Sequence, residues 1–380
     1  MKKSSAKLVL ASAIVGALVA GPAVAPAIAA GTVKIGVVEM ITGGSAFYGQ
    51  SVLEGIKIAQ NEINKAGGVL GKRIEIVVKD NASDNAQTTS LITAFANDKT
   101  IPVVIPPTYQ SNFLAACSAA TAKGLPIVSA QSGPPAAANT KNLCWTMTAD
   151  LGIQTVYTMK ALVAKGYKKF AVVYDQDNGY VNWVRTDPWK NAFSQAGVTV
   201  EQIGVAKGTT DFGSQITKIV SGKYDAVFPF FTVEDAAPFI TQATAGGYTG
   251  KFFDPVSQLT SLRLVTLAPK SLGLLAATPQ TSDVPSFKKF ADAYKKANGK
   301  PLDDPTYTGY GYDALKFIAE AMTKAGTTTD RAKINATIKG IKTTCASICF
   351  SQGTGVNKGA YIAKDNFLTS LTKTGYVKVK

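Results

Sequence analysis

The sequence predicts an α/β protein of two similar lobes, each a parallel sheet covered by helices on both faces. Three observations lead there. Short β-rich runs alternate with amphipathic helical stretches from Val33 onward. The same alternation restarts near Ile153. And about 350 residues beyond the N-terminal leader exceed one comfortable core, which favours two domains. A βαβα series sets its strands in parallel and lays its helices on the two sheet faces.

In order, Val33–Val38 reads as a strand. Tyr48–Ala66 reads as a helix, with Val52, Ile56, Ala59 and Ile63 at three- and four-residue spacing. Arg73–Val78 is the next strand and Ala86–Asn97 the next helix. Val103–Ile105 and Pro126–Val128 are short apolar strands with a helix between them. After the restart, Ile153–Ala164 is helical, Phe170–Tyr174 a strand, and a helix ends near Ala196-Gly197. Then follow strand Val198–Val205, helix Phe212–Val220, strand Asp225–Phe228, helix Ala236–Ala245 and strand Lys251–Phe253. Leu272–Ala277 is one more apolar strand. Helices follow at Ser286–Ala297, Gly309–Ala325 and Arg331–Ile338. Gly353, Gly355 and Gly359 then punctuate short alternating stretches that read as hairpin strands through Val379.

Residues 1–30 read as a secretory leader. Lys2 and Lys3 precede an apolar run from Leu8 to Ala20, and small residues lead to Ala27-Ile28-Ala29. That run is shorter than the ~20 residues a membrane-spanning helix needs. The mature chain is expected to start near Ala30 or Gly31 and to work outside the cytoplasm, in the periplasm. The four cysteines, Cys117, Cys144, Cys345 and Cys349, suggest two disulfides in such a compartment. Cys345 and Cys349 are close enough to pair locally, which leaves Cys117 with Cys144; a zinc site is the alternative.

The chain has no histidine. That removes His-based catalytic dyads and triads, and every His metal site. No nucleophile-elbow Gly-x-Ser-x-Gly is present either, so the reading is of a non-enzyme without metal or cofactor. Net charge is +15; without Lys2, Lys3 and Lys7 of the leader it is +12. The basic residues are scattered, so a solvated surface is expected rather than nucleic-acid binding. Gly309-Tyr310-Gly311-Tyr312-Asp313-Ala314 matches a dinucleotide pattern on paper but follows no clear strand.

The segment Ile35-Gly36-Val37 … Tyr48-Gly49 … Gly55 … Glu62-Ile63-Asn64-Lys65-Ala66-Gly67-Gly68-Val69-Leu70-Gly71 … Asp80 resembles the opening of type I periplasmic solute-binding proteins of ABC importers, of the branched-chain amino acid (leucine/isoleucine/valine-binding) type. Further matches are Gly124–Ser129, Val172–Asp175, Asp211-Phe212, Asp225–Val227 and Gly311–Ala314, so the resemblance spans residues 31–380. It implies two Rossmann-like lobes joined by three hinge crossovers, with a ligand cleft between them. Carried over, lobe 1 is 31–150 plus 279–343, and lobe 2 is 151–278 plus 344–380. The crossovers then fall near Thr148–Leu151, Ala277–Thr281 and Thr343–Phe350. It also implies a small-molecule ligand, delivery to the transmembrane subunits of an ABC permease, and action as a monomer.

The resemblance implies, too, that loops after the lobe 1 strands hold a ligand carboxylate. The matching positions are Tyr109, Gln110 and Ser111, with Gln131 and Ser132 after the next strand; Tyr48 matches the family's cleft aromatic. Each has an alternative reading as a cap or loop residue. Lobe 2 offers Tyr180, Trp183, Phe230 and Phe231 near strand ends, as cleft walls or as plain core. Asp187-Pro188 reads as a helix start, which makes Asp175–Thr186 a cleft loop longer than in typical relatives. Amino-acid binders of this family usually place a Glu after the Lys251–Phe253 type of strand. Here the loop is Asp254-Pro255-Val256-Ser257-Gln258, with Val256 at that position. Asp254 either substitutes for that Glu or is a turn residue before Pro255. An ammonium buried without a partner would cost about 3–5 kcal/mol. The expected ligand is therefore a small carboxylate with an apolar or aromatic body. The alternatives are a branched-chain or other apolar amino acid, or a ligand-sensing role for the same fold.

Overall fold

The computed structural model describes residues 31–133, 139–149, 151–176, 189–206, 208–354 and 358–379. The leader reading of residues 1–30 falls outside them, as do Tyr180 and Trp183. Two sheets organise the described residues.

The first sheet has eight strands. They are β1 (Thr32–Glu39), β2 (Arg73–Asp80), β3 (Val104–Ile105), β4 (Ile127–Ser129), β5 (Cys144–Thr148), β11 (Thr343–Cys345), β12 (Cys349–Gln352) and β13 (Ala360–Ala363). Their order is β11-β12-β13-β5-β4-β3-β1-β2. The second sheet has order β15-β14-β10-β9-β8-β6-β7. Its strands are β6 (Phe170–Asp175), β7 (Val200–Val205), β8 (Ala226–Phe230), β9 (Lys251–Asp254), β10 (Leu275–Thr278), β14 (Phe367–Thr372) and β15 (Gly375–Lys378).

The helices are α1 (Ala46–Lys65), α2 (Asn85–Asn97), α3 (Gln110–Lys123), α4 (Leu151–Ala164), α5 (Trp189–Gln195), α6 (Gly213–Ser221), α7 (Val233–Ala245), α8 (Leu262–Leu267), α9 (Pro285–Asn298), α10 (Pro305–Ala325) and α11 (Arg331–Gly340). None of the described helices is long and apolar enough to cross a membrane.

Each sheet has a core on both faces, as a βαβ series requires. In the first sheet Val33, Ile35 and Val37 pack on one face with α1, α9 and α10. Val38, Val104 and Ile127 pack on the other with α2 and α3. In the second sheet Val173 and Val227 join α6 and α7 on one face, while Phe228 and Phe253 join α4 and α5 on the other. The central strands are buried almost throughout, whereas β2, at an edge, is fully buried only at Ile74. Full burial of each such aliphatic or aromatic side chain contributes roughly 1.5–3 kcal/mol.

Two glycines set the closest helix contact. A Cβ on Gly55 would lie 1.9 Å from the Thr308 carbonyl oxygen, and one on Gly311 would lie 2.1 Å from that of Val52. Gly311 thus lets α10 lie against α1, inside a helix, and the dinucleotide pattern has no strand before it. Both expected disulfides are present: Cys117–Cys144 ties α3 to β5, and Cys345–Cys349 closes the β11–β12 hairpin.

Three details refine or change the expectations. First, the expected hairpin strands of the tail join the edges of the two parallel sheets and make them mixed. β12 runs antiparallel to β11 and β13, and β14 antiparallel to β10 and β15. Second, residues 344–363 were expected with lobe 2, but β11 to β13 pair in the first sheet, β13 alongside β5. The reason is a buried anchor. Ser347 donates from its N–H and its Oγ to Asp313 of α10, at 2.5 and 2.6 Å, which holds the hairpin on the first lobe. The last passage between sheets therefore falls at 364–366, between β13 and β14, instead of at Thr343–Phe350. Third, β5 and α8 are elements that the periodicity did not single out.

Candidate functional site

In an open α/β sheet the ligand crevice lies outside the strands' C-terminal ends, where strand order reverses. The chain moves from β1 outward to β2, then returns to place β3 on the other side of β1. The reversal point of the first sheet therefore lies between Glu39, which ends β1, and Thr108-Tyr109, which follow β3. In the second sheet the same logic selects the ends of β6 and β8, at Asp175 and at Phe230–Thr232. Beyond Val227↔Phe252 the pairing of β8 with β9 stops. Pro229, in β8, has no N–H to continue a ladder.

The two lobes touch at this level. Tyr48, on the first turn of α1, is buried, and its Oη accepts the N–H of Val233 at 3.3 Å. Val233 is the first residue of α7, so a lobe 1 phenol meets the N-terminus of a lobe 2 helix. The Tyr48 ring packs on Tyr307 at 4.7 Å and lies 6.4 Å from Tyr109. Burial pushes its phenol well above the usual tyrosine range, so it is neutral across all ordinary pH. Nearby, Phe47 packs against the cores of both lobes, and the Arg263 guanidinium sits 5.7 Å from its ring. A second bridge runs from the N–H of Leu262 and the Oγ of Ser261 to the Asp303 carbonyl, at 2.7 and 3.1 Å. The next residue, Asp304, caps α10 by accepting the N–H groups of Thr306 and Tyr307. Burial pushes its carboxyl up to about 7.

The residues expected after the lobe 1 strands do gather at this end. Tyr109 is the N-cap of α3 and supplies no side-chain cap. The Gln110 Oε1 accepts the N–H of Gly133 at 2.6 Å, which joins the β3–α3 loop to the loop after β4. Ser132 is buried and donates to the Thr108 carbonyl at 2.6 Å, with the Ser129 Oγ 3.2 Å away. Ser111 is exposed on the first turn of α3, and Gln131 is half-buried. The hydroxyl of Ser132 and the carbonyl oxygen of Gln110 thus bind protein groups and brace the two loops.

The lobe 2 expectations fare differently. Phe230 is buried against Phe228, ring centres 5.0 Å apart, in the core beneath α4 and α5. Phe231 is buried between Phe212 and Phe239 on the opposite face. Their rings serve packing, because consecutive strand residues point to opposite faces and both faces are covered. Asp254 is also committed. Its Oδ1 accepts the N–H of Val256 at 2.9 Å and its Oδ2 that of Leu259 at 2.6 Å. Burial raises its carboxyl to about 6, against those N–H groups. Val256 itself lies in the core.

The structure also places Glu39, Thr108, Tyr307, Asp304 and Gln258 at this level, none of which the sequence reading singled out as a site residue. Glu39 carried one signal, an acid ending the strand face that Val33, Ile35 and Val37 otherwise keep apolar. Gln258 is buried and donates from Nε2 to the Phe231 carbonyl at 2.8 Å, tying the loop after β9 to the loop after β8. Among the described residues no group of three or more acidic or cysteine side chains is placed to hold a metal ion.

Two α/β lobes, linked after β5, β10 and β13 and touching beyond the C-terminal ends of their strands, define a two-lobed binding-protein fold. A family model described as periplasmic binding protein matches residues 32–367, and the chain belongs to that family. It is similar to the leucine-, isoleucine-, valine-, threonine- and alanine-binding protein of Pseudomonas aeruginosa, with 26% identity over 330 residues and 86% of each chain covered. It is also 26% identical over 305 residues to the Leu/Ile/Val-binding protein of Escherichia coli, covering 79% of this chain and 82% of that one. Among solved structures, a leucine-binding protein from Thermotoga maritima matches with a TM-score of 0.78 at 24% identity, over 92% of this chain and 98% of its own. An ABC-transporter solute-binding protein from R. palustris, in complex with benzoate, matches with 0.77 at 20% identity, over 92% and 95%. The structural likenesses show the fold. The family makes the chain a periplasmic binding protein, and the curated relatives it is similar to are solute-binding proteins rather than enzymes.

Proposed function

We propose that this protein is exported through its leader, binds a small carboxylate with an apolar or aromatic body between its lobes, and delivers it to the membrane subunits of an ABC importer. The observation that carries the ligand class is Asp254. Both of its oxygens are spent on N–H groups of its own loop, and Val256 is packed away. That loop therefore offers no carboxylate to an ammonium, and leaving an ammonium unpaired is costly. Two further features support the reading. The first turn of α3 lacks a cap from its N-cap side chain, and helix N-termini favour anions. The cluster of Tyr48, Tyr109 and Tyr307 gives the crevice an aromatic wall. Ligand binding would favour the form in which the lobes touch through Tyr48 and Val233, a population shift that the permease reads.

A branched-chain amino acid is the second reading, because relatives at 26% identity over most of their length are named for such ligands. Thermal-shift and calorimetric titration of residues 31–380 separate the two, using protein unfolded and refolded to strip co-purified solute. Benzoate, phenylacetate and isovalerate form one set, and leucine, isoleucine and valine the other. Stabilisation by the first set alone supports the proposal, since a ligand that binds only the folded state raises its melting temperature. Stabilisation by leucine, isoleucine or valine refutes the ligand class proposed.

A further inference from the structure

Glu39 is a buried acid that the site as described leaves unused. It closes β1 at the reversal point of the first sheet and is fully buried. By the two-residue period of a strand it shares a face with Val33, Ile35 and Val37, all core residues. An apolar side chain would continue that pattern. Instead, the Glu39 Oε2 accepts two long bonds, from the N–H groups of Met40 and Thr108, each at 3.4 Å. Its Oε1 has no hydrogen-bond partner among the described residues, and neither has the Oγ1 of Thr108, which is also buried. Buried polar groups without partners are rare and costly, so two together in a native chain call for an explanation. Breaches of local rules without internal compensation gather at functional sites. Thr108 directly precedes Tyr109, the N-cap of the 14-residue helix α3, so both oxygens stand beside its N-terminus.

We propose that Glu39 and Thr108 are ligand-contacting residues, with the protonated Glu39 carboxyl and the Thr108 hydroxyl each donating a hydrogen bond to the carboxylate of the bound solute. This rests on the reading of the crevice as a carboxylate site. Two carboxylates cannot share such a place while both are charged; one must hold a proton. Burial already pushes the Glu39 carboxyl well above its ordinary range, against the opposing N–H groups of Thr108 and Met40. The pair then selects a ligand end that accepts hydrogen bonds and disfavours one that only donates.

The test is calorimetric titration of wild type, Glu39→Gln, Glu39→Leu and Thr108→Val, each refolded, with folding checked by circular dichroism and melting temperature. The probes are benzoate, phenylacetate, isovalerate and leucine. Glu39→Gln keeps a donor, so its Kd for the carboxylate that binds wild type is expected within about 5-fold. Glu39→Leu and Thr108→Val each lose a bond to a charged group and are expected to weaken binding by about 10- to 100-fold. Folded Glu39→Leu protein with wild-type affinity overturns the inference and leaves the carboxylate reading standing. Glu39→Gln as weak as Glu39→Leu also overturns it, because an ionised acid facing a cationic ligand group behaves that way. Wild type that binds leucine and none of the other acids sinks the ligand class proposed above, while the variants still report contact through leucine's carboxylate. Wild type that binds no member of the panel overturns both.

Discussion

Replacing Tyr48 with phenylalanine removes one oxygen from the contact between the lobes. The Tyr48 Oη accepts the N–H of Val233 at 3.3 Å, and both groups are buried. When the lobes part, that N–H, at the N-terminus of α7, is free to find water. When they meet in the variant, it is shut away unpaired. Such a loss costs about 1–3 kcal/mol, and the long bond places this case near the lower end, about 1–2 kcal/mol. The ring keeps its packing on Tyr307 and Phe47, so the cost falls on the state in which the lobes touch and little on either lobe. A ligand that binds that state loses affinity by the same free energy, which converts to about 5- to 30-fold in Kd. Calorimetric titration of Tyr48→Phe against wild type reads this directly. The melting temperature of ligand-free protein should stay within about 2 °C, as a shift below about 1 kcal/mol implies. A Kd within twofold of wild type, with the same ligand-induced compaction in small-angle scattering, would refute the idea that the phenol latches the lobes.

Three more outcomes are expected. The Arg331 guanidinium donates to the carbonyls of Phe95, Ala96, Asp98 and Ile101 and so caps the C-terminus of α2. Arg331→Met should lower the melting temperature by roughly 5–15 °C, taking about 2–4 kcal/mol for the lost charged bonds, and a drop below 2 °C in differential scanning calorimetry argues against the cap. Replacing Cys117 and Cys144 together by alanine opens a loop of sequence separation 27 and should cost about 3–4 kcal/mol in urea unfolding; an unchanged midpoint contradicts a stabilising tie between α3 and β5. Finally, burial raises Asp304 to about 7 and Asp254 to about 6. The folded state then keeps protons that the unfolded chain releases near its ordinary carboxyl value, so their contribution is present below about pH 4 and lost as pH rises to about 7. Asp304→Asn retains a capping side chain and should flatten part of that decline in melting temperature between pH 4 and 8; an unchanged slope counts against the raised carboxyl.

Local order was legible in the sequence because helix and strand periods are written in neighbouring residues. Val52, Ile56, Ala59 and Ile63 mark the buried face of α1, and all four lie in the core. The βα alternation and its restart near Ile153 could be read the same way, and the cysteine pairs from their even number and the short Cys345–Cys349 spacing. Cys144–Thr148 escaped because a short strand with Thr at alternate positions shows no clear apolar period, and α8 because six residues barely make two turns. The destination of the β11–β12 hairpin was out of reach. It depends on Ser347 meeting Asp313, 34 residues away, and on β13 pairing with β5. The site divides in the same manner. The family resemblance suggested Tyr48, Tyr109, Gln110 and Ser132, but only tertiary structure decided what each one binds. It brought Tyr48 to Val233 across 185 residues, turned Asp254 inward on its own loop, and buried Glu39 with an oxygen unpaired. Hydrogen-bond partners and desolvation arise from distant segments meeting, and no local window of sequence contains that information.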